Sequence, residues 1–222
     1  MDKLISKLRK AESNGGEVNV EDLLALLKLK DASICPELKR LKQDFNWKAV
    51  DNPENEVPLG AWADVICVYY ERGFKALYSI AIQHTRLLGI VLGVCEEIKT
   101  EESLKTVFSL FEFFIQDKND LINAKKSVLT INLMISFDNK INFTDKLKAD
   151  LLDLLYLFIN TVDTEYNSDE GMIIAGYCVI RRVGNKDTIE FIKKRPKLKD
   201  EGGAGLESIV IKAIKKNLSN NK

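Results

Sequence analysis

The single histidine shows how few residues of this chain could do catalytic chemistry. A histidine-based triad needs an imidazole beside its nucleophile. His84 lies instead in an apolar segment with Ile80, Leu87 and Leu88, which favours a structural role. A zinc site needs three or four histidine, cysteine or carboxylate ligands at short spacing, and the sequence has no such cluster. We therefore expect no catalytic residues, no metal and no cofactor.

Carboxylates and glycines could also serve chemistry, as an acid and base pair or as a phosphate cradle. Asp150 and Asp153 fall on the solvent face of a predicted helix, and Asp169 with Glu170 falls in a first turn, where carboxylates cap the helix. The glycine-rich segment 202–205 precedes a helix but lacks the Lys-Ser or Lys-Thr of a nucleotide loop. Capping, solvation and a flexible connector explain all three features.

The cysteines and the apolar runs indicate the compartment. The cysteines are scattered without a CxxC pair, and free cysteine in a reducing compartment behaves as a small buried hydrophobe. Charged residues interrupt the first residues at once, unlike a signal-peptide core, and the most apolar run, 87–95, is far shorter than the roughly 20 residues that span a bilayer. We expect a soluble cytoplasmic protein without a membrane segment. The four core cysteines are Cys35, Cys67, Cys95 and Cys178.

The charges are balanced overall but polarised along the chain. The sequence has 33 lysines and arginines and 33 aspartates and glutamates. Residues 181–222 contain twelve cations and five acids, so this end is net +7 and the remainder net −7. Two interpretations stay open: a solvated lysine-rich end, or a docking patch for an acidic partner or phosphates.

The elements that would position these residues are helical. Apolar residues recur at helical spacing near the start and again over 23–27, where Asn19 offers a cap, and a short helix follows Pro36. The segment 44–58 has the prolines and asparagines of a long loop, with Trp47 as a potential exposed anchor. Trp62 is predicted to lie in the core. Gly89 and Gly93 form a GxxxG motif that would let helices pack closely.

From residue 58 onward the helix starts recur at intervals of about 42, 44 and 41 residues. Each interval has room for two helices, and a period of about 40 residues with two helices per unit is the HEAT and armadillo signature. The predicted pairs are 61–71 with 75–98, 101–116 with 120–137, 145–161 with 169–183, and 186–194 with 205–218.

The segment 173–185 resembles the second helix of a HEAT-like repeat, and Thr188–Ile192 would begin the next unit. Small residues at Ala175 and Gly176 would permit close helix approach, and Gly184 could take a left-handed C-terminal cap. The resemblance implies an all-α fold of stacked antiparallel helix pairs in a short right-handed superhelix. One domain would cover 1–222, with 1–57 capping the stack, four helix pairs over 58–218 and a disordered tail at 219–222.

One segment also fits a strand. Residues 129–137 alternate apolar and polar side chains before a turn-like Asp138-Asn139, so 128–142 could form a hairpin. The same residues fit a helix that buries Leu121, Ile122, Val128, Leu129 and Ile135, which the repeat context favours.

Stacked helix pairs usually bind proteins on the surface formed by the second helix of each unit. We therefore expect a non-enzymatic protein-binding module, an adaptor or an inhibitor, which by analogy includes the immunity proteins that neutralise bacterial toxins. The residues predicted to contact the partner are Trp47, Gln83, Arg86, Lys126, Thr130, Tyr177, Arg181 and Lys215.

Nucleic-acid binding is the alternative function, because HEAT-like DNA glycosylases bind the phosphate backbone in a basic groove. Such enzymes also need an acidic catalytic residue flanked by aromatics. Trp62-Ala63-Asp64 offers that combination, but the neighbouring Val65 and Ile66 indicate a packed helix. A lyase on an unrecognised site, as in HEAT-like bilin enzymes, is a third class.

Overall fold

A computed structural model describes residues 6, 20–28, 31–44, 59–116, 120–136, 144–165, 169–195, 198 and 205–220. Every secondary-structure element in these residues is helical, which confirms the all-α class. Apart from Ser6, which is helical, the predicted N-terminal helix at 4–8 lies outside the described residues, as do the Asn19 cap and the loop segment that contains Trp47. The chain divides into two compact units, Met1–Thr106 and Val107–Lys222.

Unit 1 is built from short helices around one long, broken one. Apolar residues of every helix are buried, among them Leu23, Ile66, Leu77 and Val91. The helices are α1 (Val20–Leu27), α2 (Cys35–Asp44), α3 (Leu59–Gln83), α4 (Leu88–Ile98) and the part of α5 (Glu101–Gln116) that ends at Thr106, with 3-10 turns at Ala32–Ile34 and Thr85–Leu87.

Two breaks divide the long apolar stretch of unit 1. Gly73 sits inside α3 at φ 70°, a left-handed conformation that glycine adopts without strain, so the chain bends between the two predicted helices. The second break was not expected. The single helix predicted over 75–98 is wrong, because it ends at Gln83 and restarts at Leu88, with exposed His84 between the two parts.

The GxxxG motif of α4 uses only one of its two glycines for close packing. A Cβ built on Gly93 would lie 2.7 Å from Cη2 of Trp62, so the half-buried indole of α3 rests directly on the backbone of α4. Gly89 is exposed and has nothing within 4 Å of its Cβ position. The close helix approach predicted from the motif therefore holds at Gly93.

We expect Gly93→Ala to destabilise the protein by about 1–2 kcal/mol, because the added methyl displaces the Trp62 ring from a close-packed position. Gly89→Ala, its matched control in the same helix, should stabilise by about 0.5 kcal/mol through helix propensity alone. Urea denaturation of the two variants measures the change in the free energy of unfolding, a loss for Gly93→Ala and a gain for Gly89→Ala. If Gly93→Ala is as stable as Gly89→Ala, the indole does not constrain this position.

Unit 2 follows the predicted helix pairs closely. The segment 121–136 is a helix, so the hairpin alternative is wrong there, and α10 continues two residues into the predicted tail. Of the residues predicted to be buried in that helix, Leu121 and Val128 are buried and Ile135 is half-buried. Ile122 and Leu129 are exposed instead, because they lie on the outer face of the helix. The helices after the remainder of α5 are α6 (Leu121–Ser136), α7 (Asp145–Glu165), α8 (Glu170–Val183), α9 (Lys186–Lys193) and α10 (Leu206–Asn220).

The boundaries of α8 and α9 are fixed by side-chain caps. The Asp169 carboxylate accepts a hydrogen bond from the Met172 amide at 2.8 Å. Asn185 and Thr188 form a reciprocal capping box, with amide-to-oxygen distances of 2.9 and 3.0 Å. These caps satisfy amides that a helix start leaves without partners.

Gly184 ends α8, but not in the predicted left-handed conformation. Its φ of −63° and ψ of 151° are extended. A Cβ at this position would lie 2.7 Å from Cδ1 of Ile214 and 2.8 Å from the Ile180 carbonyl oxygen. The glycine is needed here for the close approach of α10.

The helices of unit 2 form two layers. In one, α8 packs between α6 and α10. In the other, Phe111 of α5 contacts Phe158 of α7 edge to face, with ring centres 5.8 Å apart. Tyr156 of α7 contacts Phe191 of α9, with ring centres 4.4 Å apart. Contacts between α7 and α8 join the layers, where the Cβ position of Gly176 lies 3.0 Å from Ile159.

Candidate binding surface

The layer formed by α6, α8 and α10, called here the basic layer, concentrates positive charge. Its only acids are Glu170 and Glu207. The other layer is acidic, because α7, α9 and residues 107–116 of α5 carry eight acids and four lysines. The seven cations of the basic layer are Lys125, Lys126, Arg181, Arg182, Lys212, Lys215 and Lys216.

Contacts near their ends join the three helices of the basic layer. The Lys125 ammonium near the start of α6 lies 3.4 Å from the Cβ position of Gly171 at the start of α8. At the other end, Asn217 of α10 donates a hydrogen bond to the carbonyl oxygen of Arg181 at 3.3 Å. α6 and α8 therefore approach each other at their starts, and α8 and α10 approach each other near their ends.

Arg181 and Arg182 lie in the last turn of α8, where positive charge complements the helix dipole, whereas the lysines of α10 lie before its last turn. Arg181 is half-buried and Arg182 is exposed. Desolvation and the like charge of Arg181 lower the pKa of Arg182 from its ordinary value, yet an arginine stays charged at neutral pH. The three lysines of α10 are all exposed. A concentrated positive patch results.

Three predicted contact residues belong to this layer's surface: Lys126 and Lys215 are exposed and Arg181 is half-buried. Gln83 and Arg86 are also exposed, but they belong to unit 1. Trp47 lies outside the described residues.

Two further predicted contact residues do not project from the surface, and this expectation is corrected. Thr130 is buried, because its position on α6 faces the neighbouring helices. Tyr177 is fully buried, because it lies on the side of α8 that also buries Ile173 and Ile180. The two side chains therefore belong to the interior of unit 2.

Tyr177 belongs to a buried polar cluster that the sequence did not indicate. Arg195, just after α9, forms a two-pronged ion pair with Asp163 of α7, with Nη2 to Oδ1 at 2.7 Å and Nη1 to Oδ2 as the second contact. The Arg195 side chain is only 7% exposed and that of Asp163 is 26% exposed. The guanidinium also lies 5.7 Å from the centre of the Phe191 ring. This pair anchors the chain after α9 to α7.

Three buried donor atoms of this cluster have no hydrogen-bond partner of normal geometry: Tyr177 Oη, Arg195 Nε and Arg195 Nη1, although Nη1 remains in the ion pair with Asp163. Burial raises the pKa of Tyr177, and the neighbouring Arg195 charge opposes that shift only in part. The Glu207 carboxylate accepts a hydrogen bond from the Leu198 amide at 2.7 Å and so ties the segment after Arg195 to α10. The cluster is therefore a structural anchor beneath the basic layer.

Three of the four cysteines lie where burial disfavours the reactive thiolate. Burial raises the pKa of Cys95 to about 12, and it also raises the pKa of Cys35 and Cys67. These thiols stay protonated. Cys178 is half-buried on α8, so three of the four predicted core cysteines are buried.

No group of three metal-ligating side chains occurs in the part of the chain that the structure describes. In the same residues, no helix combines the length and apolarity needed to cross a bilayer. Asp64, considered as a glycosylase acid, is exposed on α3 beside half-buried Trp62.

No protein-family model, curated protein or solved structure matches this chain.

Proposed function

We propose that this protein is a non-enzymatic protein-binding module whose basic layer docks an acidic surface of another protein. The observation that carries the proposal is the charge of that layer, seven cations against two acids, in a chain of zero net charge. One of the two acids, Glu207, already accepts a hydrogen bond from the Leu198 amide. Complementary charge of this kind steers a partner and fixes its orientation.

The two layers of unit 2 also support the proposal of a HEAT-like stack, an architecture whose second-helix surface commonly binds proteins. Within that class, an adaptor and an inhibitor, including an immunity protein for a toxin, use the same surface. In either case, the positive charge of the basic layer favours a partner with an acidic surface.

A protein partner fits this surface better than nucleic acid. The only aromatic residue on α6, α8 and α10 is Tyr177, which is buried, so these helices offer no ring on which a base could stack. They do expose apolar side chains between the cations, such as Leu129 and Ile209. Apolar side chains surrounded by polar and charged ones are the arrangement that a protein interface uses, with an apolar centre and a polar rim.

The test is affinity capture from nuclease-treated extract of the native cell, with wild-type bait and two charge-reversed baits. The first bait carries Arg181→Glu, Arg182→Glu and Lys215→Glu in the basic layer. The control carries Lys146→Glu, Lys186→Glu and Lys194→Glu, exposed positions on or next to α7 and α9 that change the net charge equally. We expect the first bait to lose about tenfold or more of a stoichiometric partner protein and the control to retain it.

Equal recovery by both reversed baits would contradict the proposal. Recovery that depends on intact nucleic acid would instead support the phosphate-binding alternative. Thermal unfolding of both baits establishes that the substitutions leave the fold intact.

A further inference from the structure

A straight apolar stripe runs along the exposed side of α6. Ile122, Leu129 and Leu133 are 58%, 40% and 37% exposed, and the intervening Lys126 is exposed as well. The spacings of four, seven and eleven residues from Ile122 place all four side chains on one face of the helix. At about 1.5 Å per residue the stripe extends about 16 Å, or three helical turns.

The stripe differs from the other exposed apolar residues of unit 2. Phe113, Leu157 and Ile209 are exposed singly on three different helices, and single exposed apolar side chains are ordinary. Three on one line of one helix, with Lys126 between the first two, form an aligned apolar surface that water solvates poorly. All three side chains are exposed in the structure.

Positive charge flanks the stripe without any acid on the same helix. The sequence of α6 contains Lys125 and Lys126 and no aspartate or glutamate. The Lys125 ammonium reaches toward Gly171, which marks the side of α6 that faces α8. Beyond it, the exposed edge of α8 leads to Arg181 and Arg182. A molecule that lies along the stripe therefore has cations on it and on the α8 side.

We propose that the stripe binds an amphipathic α-helix of the partner, with aliphatic residues at one face and aspartate or glutamate on the flanks. This inference rests on the proposed function and specifies the element of the partner that enters the surface. Apolar anchors at these spacings match the way an amphipathic helix presents its own apolar face. The acidic flanks follow from the lysines and arginines around the stripe.

An extended peptide would not use this surface as well. Strand addition needs an open sheet edge with unpaired backbone groups, and the described elements are all helical. A second copy of the chain is also a poorer fit, because its own α6 would bring lysines against lysines, and the exposed apolar residues of its acidic layer, Phe113 and Leu157, lie on different helices. Neither combines aligned apolar anchors with acidic flanks.

The experiment uses the full-length protein and a fluorescent 18-residue helical peptide with leucines at positions i, i+4, i+7 and i+11 and glutamates on both flanks. A control peptide has the same leucines with lysine flanks. We expect fluorescence anisotropy to show saturable binding of the acidic peptide and at least tenfold weaker binding of the lysine peptide. The double substitution Leu129→Ser with Leu133→Ser should weaken binding of the acidic peptide at least tenfold. Leu157→Ser, at an exposed position of α7, should leave that binding unchanged.

Absence of binding by the acidic peptide, or equal weakening by Leu157→Ser, would overturn the helix proposal. Self-association would overturn it as well: if sedimentation shows a mass that rises with protein concentration, and Leu129→Ser with Leu133→Ser abolishes that rise, the stripe binds a second copy of the chain. The proposed function fails separately: it fails when the reversed Arg181, Arg182 and Lys215 bait still captures its partner. All changed residues are exposed or half-buried, and circular dichroism checks that each variant is folded.

Discussion

Replacing Arg195 by alanine is expected to lower the free energy of unfolding by about 3 kcal/mol. The substitution leaves the Asp163 carboxylate, three-quarters covered, without its two-pronged partner. It also removes the guanidinium from the face of Phe191 and further isolates the buried Tyr177 hydroxyl. Guanidinium chloride unfolding followed by circular dichroism measures the loss.

Lys193→Ala is the matched control, two residues earlier in the chain. Lys193 pairs with Glu190 at 2.8 Å, but both side chains are more than half exposed. Exposed pairs contribute about 0–1 kcal/mol, so this variant should remain close to wild type. Similar stabilities for the Arg195 and Lys193 variants would show that the buried cluster does not anchor the chain.

Phe158→Ala should cost about 4 kcal/mol, because it empties a fully buried site in the centre of unit 2. The Phe158 ring contacts the edge of Phe111 at 5.8 Å and lies 3.8 Å from the Cβ position of Gly176. It thus links α7 both to α5 and to α8. Urea unfolding at 25 °C would report the change as a lower midpoint with the same slope.

The control for this prediction is the preceding residue. Leu157 is 47% exposed on the same helix, so Leu157→Ala deletes apolar atoms without opening a buried cavity. Its expected cost is about 0.5 kcal/mol. A Phe158→Ala cost that is no larger than this would contradict the two-layer packing of unit 2.

The helices of unit 2 were predictable from sequence because their limits are encoded locally. Asn185 with Thr188 is a capping box, and Asp169 is a helix-start residue that caps as expected. Apolar spacing over 101–116 and 121–136 gave the helix type even where an alternating pattern also fitted a strand. Local chemistry and tertiary packing agree in these segments.

Features that depend on several helices were not predictable in the same way. Gly184 is a glycine because Ile214 of α10 approaches it, a contact 30 residues distant along the chain. Tyr177 and Thr130 were expected on the surface, but the neighbours of α8 and α6 cover the sides on which they lie. The Asp163–Arg195 pair likewise joins residues on two elements that only the packing brings together.

The candidate surface was predictable in part. The register of the predicted second helices pointed to Lys126, Arg181 and Lys215, all of which belong to the basic layer. Charge counting along the chain could not add Lys125, because it lies more than 50 residues before the basic C-terminal segment. Charge counting also could not distinguish Lys186 and Lys193, which lie on α9 in the acidic layer, from the cations of the basic layer.

The central claim, that the basic layer docks an acidic protein, is tested most directly by photo-crosslinking in the native cell. A photoreactive benzoylphenylalanine replaces Lys126 or Lys215 in the basic layer, and Asp153 or Lys186 in the acidic layer; all four positions are exposed. We predict that the two basic-layer positions crosslink to the same acidic protein and that the two acidic-layer positions do not. Crosslinks to that protein from the acidic layer alone, or to nucleic acid from the basic layer, would contradict the account.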